Sequence, residues 1–260
     1  MRPKKILGQN FLIDRNIQRK IILNCDLNKD DLILEIGPGR GEITQLIAKS
    51  NARVYAVEID EDLCRLLKDK FINFKNVVII KADILKLNIK RYFSFLPGRL
   101  KVIGNIPYYI STPILEHLIK YNDKIDFIFL TLQKEFAKRI VAKPGSKEYG
   151  SFSCFIQYYT EPKVIFDIKK TCFYPVPKVD STFLRLIMKR KRPLDRKQEK
   201  KLFKIIRIAF SQRRKMLKNT LREFFPLDKL NTFFEKYNLS YSIRPEDVSI
   251  EDFINLIKLA

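Results

Sequence analysis

The residues with the most chemical content form one short run, Gly104-Asn105-Ile106-Pro107-Tyr108-Tyr109, at the end of an apolar segment. Asn105 brings a carboxamide oxygen and Ile106 a backbone carbonyl, while Pro107 has a fixed φ that stiffens the turn carrying that carbonyl. An amine attached to an aromatic base is a poor nucleophile, because its lone pair is delocalised into the ring. Two acceptors aimed at its hydrogens localise that lone pair and direct it at an electrophile, and the Tyr108 ring gives the base a surface to stack on. Such a site needs no general base in its slow step; its work is alignment and electrostatics. Read alone, the run is also simply a strand ending in an N-x-P turn with two exposed tyrosines.

Upstream lies a second constellation. Glu35-Ile36-Gly37-Pro38-Gly39-Arg40-Gly41 joins an apolar run to a helix-like stretch. Glycines there let the chain turn sharply and let a ligand approach backbone amides, although the spacing is G-x-G-x-G and not the G-x-G-x-x-G of dinucleotide sites. The next two apolar runs end at Glu58 and Asp83. At the carboxyl ends of parallel strands, a first carboxylate accepts from two ribose hydroxyls and a second from an adenine amine. Helix capping is the competing reading for Asp83, and a poor one for Glu58 behind its apolar strand. Ribose plus adenine fits both NAD and S-adenosylmethionine.

To position these groups, the chain must bring several strand ends to one edge. Leu32–Ile36, Val54–Val57, Val77–Lys81, Lys101–Gly104 and Phe127–Leu132 are short, continuously apolar runs of the kind buried on both faces of a parallel sheet. Glu42–Ser50, Glu61–Phe71 and Lys134–Ala142 read as helices. Ser151–Tyr159 and Thr182–Met188 read as two further strands, antiparallel at the sheet's edge, around the proline-punctuated segment 172–180. Beyond residue 190 the pattern turns helical, at Arg196–Phe210, Met216–Phe225, Asp228–Tyr237 and Glu251–Lys258. The expectation is an α/β domain over 1–190, with a basic arm over 1–20, followed by a small helical domain over 191–260.

Charge separates these regions further. The 260 residues carry a net charge of +22, yet Arg185 to Lys218 alone hold 15 basic and 2 acidic side chains. Apolar residues interleave with that run, so it reads as a folded basic surface for a polyanion such as nucleic acid, with a solvated helix face as the bland alternative. Arg213, Arg214, Lys215 and Lys218 are the candidate phosphate contacts, extended by Lys143, Lys147 and Lys170. Four scattered cysteines, with no C-x-x-C pair, disfavour a zinc site or a disulfide framework, and fit reduced thiols in the cytoplasm. The single histidine, His117, leaves no multi-histidine metal site, so no metal is expected. No apolar run has the length of a membrane span, and the first residues lack the apolar stretch of an export signal.

Seven motifs in order carry a family resemblance: Leu7-Gly8-Gln9-Asn10-Phe11-Leu12, Glu35–Gly41, Asn105–Thr112, Leu132-Gln133-Lys134-Glu135, Ser146–Gly150, Phe173–Ser181 and Gln212-Arg213-Arg214-Lys215. Over its whole length the chain resembles the ribosomal RNA adenine dimethyltransferases of the KsgA/RsmA type, small-subunit enzymes whose loss confers kasugamycin resistance. The resemblance implies a Rossmann-like S-adenosylmethionine-dependent methyltransferase fold, with a mostly parallel seven-stranded sheet and an antiparallel edge. It implies that Asn10, Leu12, Gly37, Gly39, Glu58, Asp83 and Asn105 contact S-adenosylmethionine. Asn105, Ile106, Pro107 and Tyr108 would then hold the target adenine while Phe173 covers its other face.

The implied reaction is N6,N6-dimethylation of two adjacent adenosines in the loop of the 3′-terminal hairpin of 16S rRNA, on an immature 30S subunit, by a monomer. Erm-type enzymes of the large subunit share Asn-Ile-Pro-Tyr, but Pro177-Lys178-Val179-Asp180-Ser181 looks more like the small-subunit type. The family commonly has Leu at Ile106 and Asn at Tyr109; Ile106 contributes only its carbonyl, and Tyr109 is assigned no role. A non-catalytic rRNA-binding assembly factor and an NAD-dependent oxidoreductase are the readings from other classes.

Overall fold

The apolar runs become neighbours in one sheet in the computed structural model, which describes Pro3, Lys4 and residues 7–259. Arg2 and Lys5 of the expected basic arm lie outside the described residues. In chain order the elements begin with β1 (Phe11–Leu12), α1 (Arg15–Cys25), β2 (Leu32–Ile36), α2 (Glu42–Ala48), β3 (Arg53–Glu58), α3 (Glu61–Lys70) and β4 (Val77–Lys81). There follow α4 (Ile89–Tyr92), β5 (Leu100–Asn105), a 3-10 turn (Tyr108–Ile110), α5 (Ser111–Ile119), β6 (Ile125–Gln133) and α6 (Lys134–Val141). Next come α7 (Ser151–Tyr159), β7 (Thr160–Ile168), β8 (Phe173–Tyr174) and β9 (Ser181–Met188), and then the helices α8 (Arg196–Ser211), α9 (Leu217–Leu221), α10 (Leu227–Lys236) and α11 (Ile250–Leu259).

The seven-stranded sheet has the order β4-β3-β2-β5-β6-β9-β7. Strands β4 to β6 run parallel, and β9 pairs antiparallel with β6. Because β3 and β4 build to one side of β2 and β5 to the other, the order of addition across the sheet reverses at β2, and a crevice opens at the carboxyl ends of β2 and β5. All five residues of β2 are buried, as the middle strand of a doubly covered sheet requires. A separate two-stranded ribbon pairs β1 with β8, Phe11 opposite Tyr174 and Leu12 opposite Phe173.

One expectation is corrected: Ser151–Tyr159 is a helix, and the strand follows it at Thr160–Ile168. Cys154, Ile156 and Tyr158 alternate like strand residues and are all buried. But Phe152, Phe155 and Tyr159 stand three and four positions apart, and their rings meet pairwise at 6.1 and 5.3 Å. Ser153 secures the helix start, its Oγ accepting from the Gly150 amide at 3.1 Å and donating to the Arg139 carbonyl at 2.6 Å. Strand β7 carries Pro162 and lies at the sheet's edge, where a missing amide is tolerated.

The chain divides into two compact units, one of residues 1–137 and 163–188, the other of residues 138–162 and 189–260. In the first, one core cluster lies on one face of the sheet, where Ile33, Val54, Ala56, Ile103, Phe129 and Phe183 pack with Ile21 and Cys25 of α1. In the second, Leu202, Ile205, Ile206 and Ala209 of α8 recur at helical spacing and pack with Leu221, Phe225, Phe233 and Phe253. Burying each such Leu, Ile or Phe side chain contributes about 1.5–3 kcal/mol. Lys197, Lys200, Lys201, Lys204 and Arg207 keep their charges exposed on the remainder of that helix. Among the described residues, no helix is long and apolar enough to cross a membrane.

Candidate active site

A cavity opens at the carboxyl ends of β2, β3 and β5, lined by residues of the segment 7–12, the glycine turn, Glu58, Asp83 and the run Gly104–Tyr108. The glycine turn takes its shape from three residues with positive φ, Gly37 at 65°, Gly39 at 57° and Gly41 at 80°. A Cβ on Gly39 would stand 2.9 Å from the Phe11 ring, and one on Gly41 2.7 Å from Phe71. At Gly37 the nearest atom to such a Cβ would be the Asn105 carbonyl oxygen at 3.8 Å, so glycine there keeps cavity space open.

Glu58 caps β3 with its carboxylate held by three backbone amides. Oε1 accepts from Ile59 at 2.8 Å and Asp60 at 2.9 Å, and Oε2 accepts from Gly39 at 3.3 Å. Burial raises its pKa, and those amide bonds counter the rise without cancelling it. Asp83, just past β4, accepts from the Leu85 amide through Oδ1 at 2.9 Å. Its Oδ2 has no partner among the described residues, so this one side chain both caps a turn and offers an acceptor to the cavity.

The end of the cavity that holds Asn105 is built from β5. Gly104 is required by packing, since a Cβ would meet the Ile36 carbonyl at 3.0 Å and Ile106 at 3.1 Å. Asn105 follows, and its Nδ2 donates to the backbone carbonyl of Asn10 at 2.8 Å. With the nitrogen committed there, Oδ1 is the acceptor left over. The Ile106 side chain is buried while its carbonyl carries no hydrogen bond among the described residues. Pro107, at φ −59°, opens the 3-10 turn, and its carbonyl takes the Ile110 amide at 3.3 Å. Tyr108 is fixed by a 2.6 Å hydrogen bond between its hydroxyl and Ser181 Oγ, and burial raises its pKa against that bond.

The structure thus brings Asn10, Leu12, Gly37, Gly39, Glu58, Asp83, Asn105, Ile106, Pro107 and Tyr108 to one cavity. It does not bring Phe173 there. That ring is 1% exposed and packs in the core with Leu12 and Phe183, because β8 pairs with β1 and turns Phe173 inward. In the second unit, Arg214 and Lys215 are exposed with side chains free among the described residues. Arg213 is instead tied inward, by an ion pair to Glu246 and a 3.1 Å hydrogen bond to the Lys147 carbonyl. Lys218 donates to Asn231 at 2.8 Å and lies 4.3 Å from the centre of the Tyr241 ring.

Sequence reasoning missed three features of the site. Glu35 lines the cavity 2% exposed, and burial lifts its pKa to about 8; neither its Oε2 nor the Thr44 hydroxyl has a hydrogen-bond partner among the described residues. Thr131, buried opposite Asn105 on β6, lines the cavity as well. The third is a tether: Lys4 Nζ donates to Asp60 Oδ1 at 2.7 Å and Asp62 Oδ2 at 2.8 Å, and Gln9 donates to Asp60 Oδ2 at 3.0 Å. It fastens Lys4 and Gln9 to the start of α3 and so holds residues 7–12 along the cavity. Gln9 inside a motif of the resemblance was the available signal; nothing local marked Lys4.

The family model for ribosomal RNA adenine dimethylase matches residues 1–260. The chain belongs to the ribosomal RNA adenine dimethylase family. Curated relatives of this dimethylase include ribosomal RNA small subunit methyltransferase A of Lachnoclostridium phytofermentans, 40% identical over 260 residues that span 97% of this chain and 90% of the relative. The protein of the same name from Streptococcus sanguinis is 40% identical over 258 residues, 96% of this chain and 89% of its own. Among solved structures, a dimethyladenosine transferase from Plasmodium falciparum matches with a TM-score of 0.81 at 24% identity, over 95% of each chain. The 23S rRNA methyltransferase ErmE matches with a TM-score of 0.78 at 23% identity, over 96% of this chain and 98% of its own. The dimethylase therefore has the expected Rossmann-like methyltransferase fold with a helical C-terminal region, and is an enzyme that uses S-adenosylmethionine to methylate adenine in ribosomal RNA.

The residues at hand fit that cofactor. The space beside Gly37 that a Cβ would enter, the buried Glu58 carboxylate at one strand end and the unpaired Oδ2 of Asp83 at the next form a cradle with acceptors along it. Among the described residues, no group of three or more His, Cys, Asp or Glu side chains is placed to hold a metal ion.

Proposed function

We propose that this dimethylase converts two adjacent adenosines in the loop of the 3′-terminal hairpin of 16S rRNA to N6,N6-dimethyladenosine, acting in the cytoplasm as a monomer on an immature 30S subunit. The observation that carries the reading is the Asn105 carboxamide, whose nitrogen is anchored on Asn10 and whose oxygen is left to accept. The small-subunit target rests on relatives named small subunit methyltransferase A at 40% identity over nearly the full chain. Pro177-Lys178-Val179-Asp180-Ser181 supports it against a large-subunit target.

Asn10, Leu12, Gly37, Gly39, Glu58, Asp83 and Asn105 line the cofactor's place. S-adenosylmethionine, when bound, supplies a methyl group made electrophilic by its sulfonium. Asn105 Oδ1 and the Ile106 carbonyl accept the two amine hydrogens of a flipped-out adenine, which localises its lone pair and points it into the cavity. Pro107 holds the turn, and Tyr108, pinned by Ser181, stacks on the base. No proton needs to leave before the amine attacks, in keeping with acceptors here and no general base. Phe173 closes the second face only if β8 releases it from the core. Residues 191–260 bind rRNA, and Arg214 and Lys215 meet phosphates directly, positioning the substrate without reading bases.

Mass spectrometry of rRNA from cells with and without the gene tests this. The expected result is loss of N6,N6-dimethyladenosine from the 3′-terminal hairpin of 16S rRNA. Its persistence there, or its loss from 23S rRNA instead, overturns the assignment.

A further inference from the structure

Tyr109 is the one part of the Asn105–Tyr109 run that the reaction leaves without work. Its side chain is 64% exposed, in the middle of the 3-10 turn Tyr108–Ile110. Several contacts fix that turn: the Pro107 carbonyl accepts from Ile110 and from Ser111 Oγ, and the neighbouring Tyr108 is pinned to Ser181. The Tyr109 ring lies against Gly8, where a Cβ would come within 2.9 Å of Cε1 and 3.2 Å of Cδ1. Gly8 itself lines the cavity and has φ +59°, so the segment bends close beneath the ring at the cavity's rim. Neither the hydroxyl nor the rest of the ring has a polar or aromatic partner among the described residues.

An aromatic side chain held on a short stiff turn has few rotamers to lose, and one exposed face to offer. Extruding a base into the cavity leaves its neighbour in the strand unstacked on one side. A ring one residue beyond the one that receives the target, outside the cavity but on the same turn, is placed to cover that neighbour. Stacking of this kind tolerates any base and acts on substrate binding, since the ring touches no reacting atom. We propose that Tyr109 is the platform on which the nucleotide adjoining the methylated adenosine stacks, which makes it a positioning residue for the RNA. The inference rests on the function proposed above and deepens it: for a substrate with two adjacent target adenosines, the stacked neighbour is the second target.

The test uses the full-length enzyme and 30S particles reconstituted around a synthetic 3′-terminal hairpin strand, with 2-aminopurine in place of the adenosine beside the target. If the wild-type enzyme does not methylate the unsubstituted particles, the proposed function fails, and the stacking role with it. If it does methylate them, binding is expected to quench 2-aminopurine fluorescence. Tyr109→Phe retains that quench, and Tyr109→Leu and Tyr109→Ala lose most of it. The same two variants raise KM for the particle about tenfold while kcat falls by less than threefold. Equal quenching by the wild type and Tyr109→Ala, or a loss confined to kcat, overturns the stacking role and leaves the proposed function standing. Tyr109→Leu keeps apolar packing on Gly8, so a defect that it shares with Tyr109→Ala but not with Tyr109→Phe reports the ring.

Discussion

The side-chain nitrogen of Asn105 donates to the backbone carbonyl of Asn10, 2.8 Å away and 95 positions earlier in the chain. One hydrogen bond thereby does two things. It fixes which end of the carboxamide is the acceptor, and it ties the tip of β5 to the segment that lines the other side of the cavity. The turn proposed to activate the adenine and the segment proposed to cover the cofactor are thereby joined.

That segment is also fastened at its far end, by Lys4 and Gln9 on Asp60. Burial works to raise the Asp60 pKa, but the Lys4 ammonium and the Gln9 amide outweigh it and hold the carboxyl below its usual value. Lys4→Ala and Asp60→Asn should weaken S-adenosylmethionine binding about three- to tenfold, mostly through faster dissociation, because the segment opens more often. Stopped-flow displacement of bound cofactor measures this; dissociation rates equal to wild type in both variants would rule the tether out.

Glu58 and Asp83 should matter more for affinity than for chemistry. Glu58→Ala removes the group that organises the Gly39, Ile59 and Asp60 amides, and the cofactor Kd should rise at least about tenfold. Asp83→Ala should show a smaller loss. Calorimetric titration with S-adenosylmethionine decides it, and undiminished affinity in Glu58→Ala would place the cofactor elsewhere.

Glu35 gives a pH signature. Its pKa in the folded chain is about 8, against 4.5 for the unperturbed group, so between those values the folded state holds a proton that the unfolded state has lost. Stability from this group is therefore fully present below pH 4.5 and lost as pH rises through 8. Glu35→Gln, neutral throughout, should gain on the wild type as pH rises from 5 to 9, by up to roughly 4 kcal/mol. Thermal melts of the cofactor-free proteins check this, and parallel melting curves across that range would refute it.

The basic residues of the second unit separate into two kinds. Arg214→Gln with Lys215→Gln should flatten the salt dependence of RNA binding by about two phosphate contacts and leave Tm within a degree or two. Arg213→Gln should lower Tm, since it leaves Glu246 and the carbonyls near Lys147 without their partner. Filter binding across a salt series, set beside melting curves, distinguishes them; a salt slope unchanged in the double variant would move the RNA surface elsewhere.

Much of this was legible because the signals are local. A strand and the residue that ends it are contiguous, so Glu58, Asp83 and Asn105–Tyr108 could be found from their positions alone, and the structure brings them to one cavity. Partners could not be found that way. Lys4 reaches Asp60 across 56 positions and Arg213 reaches Glu246 across 33, and nothing in either sequence neighbourhood distinguishes a paired cation from a free one. The misread helix Ser151–Tyr159 has the same origin. Alternation at Cys154, Ile156 and Tyr158 imitates a strand, and only packing against α8, where Tyr158 donates to Glu199 at 3.0 Å, selects the helix. Phe173 was placed by its motif, whereas its pairing partner Leu12 decides where its ring lies.

The central claim is that Asn105 Oδ1 and the Ile106 carbonyl make an adenine amine reactive while the rest of the cavity holds the cofactor. Methyl transfer to unmodified 30S particles by Asn105→Ala, measured beside its affinity for S-adenosylmethionine, tests that claim most directly. Turnover should fall by at least about 10²–10³-fold, the loss typical of a removed group that stabilises developing charge, while the cofactor Kd rises by no more than about tenfold. Turnover within threefold of wild type would contradict the account, because the amine would then be activated without Asn105.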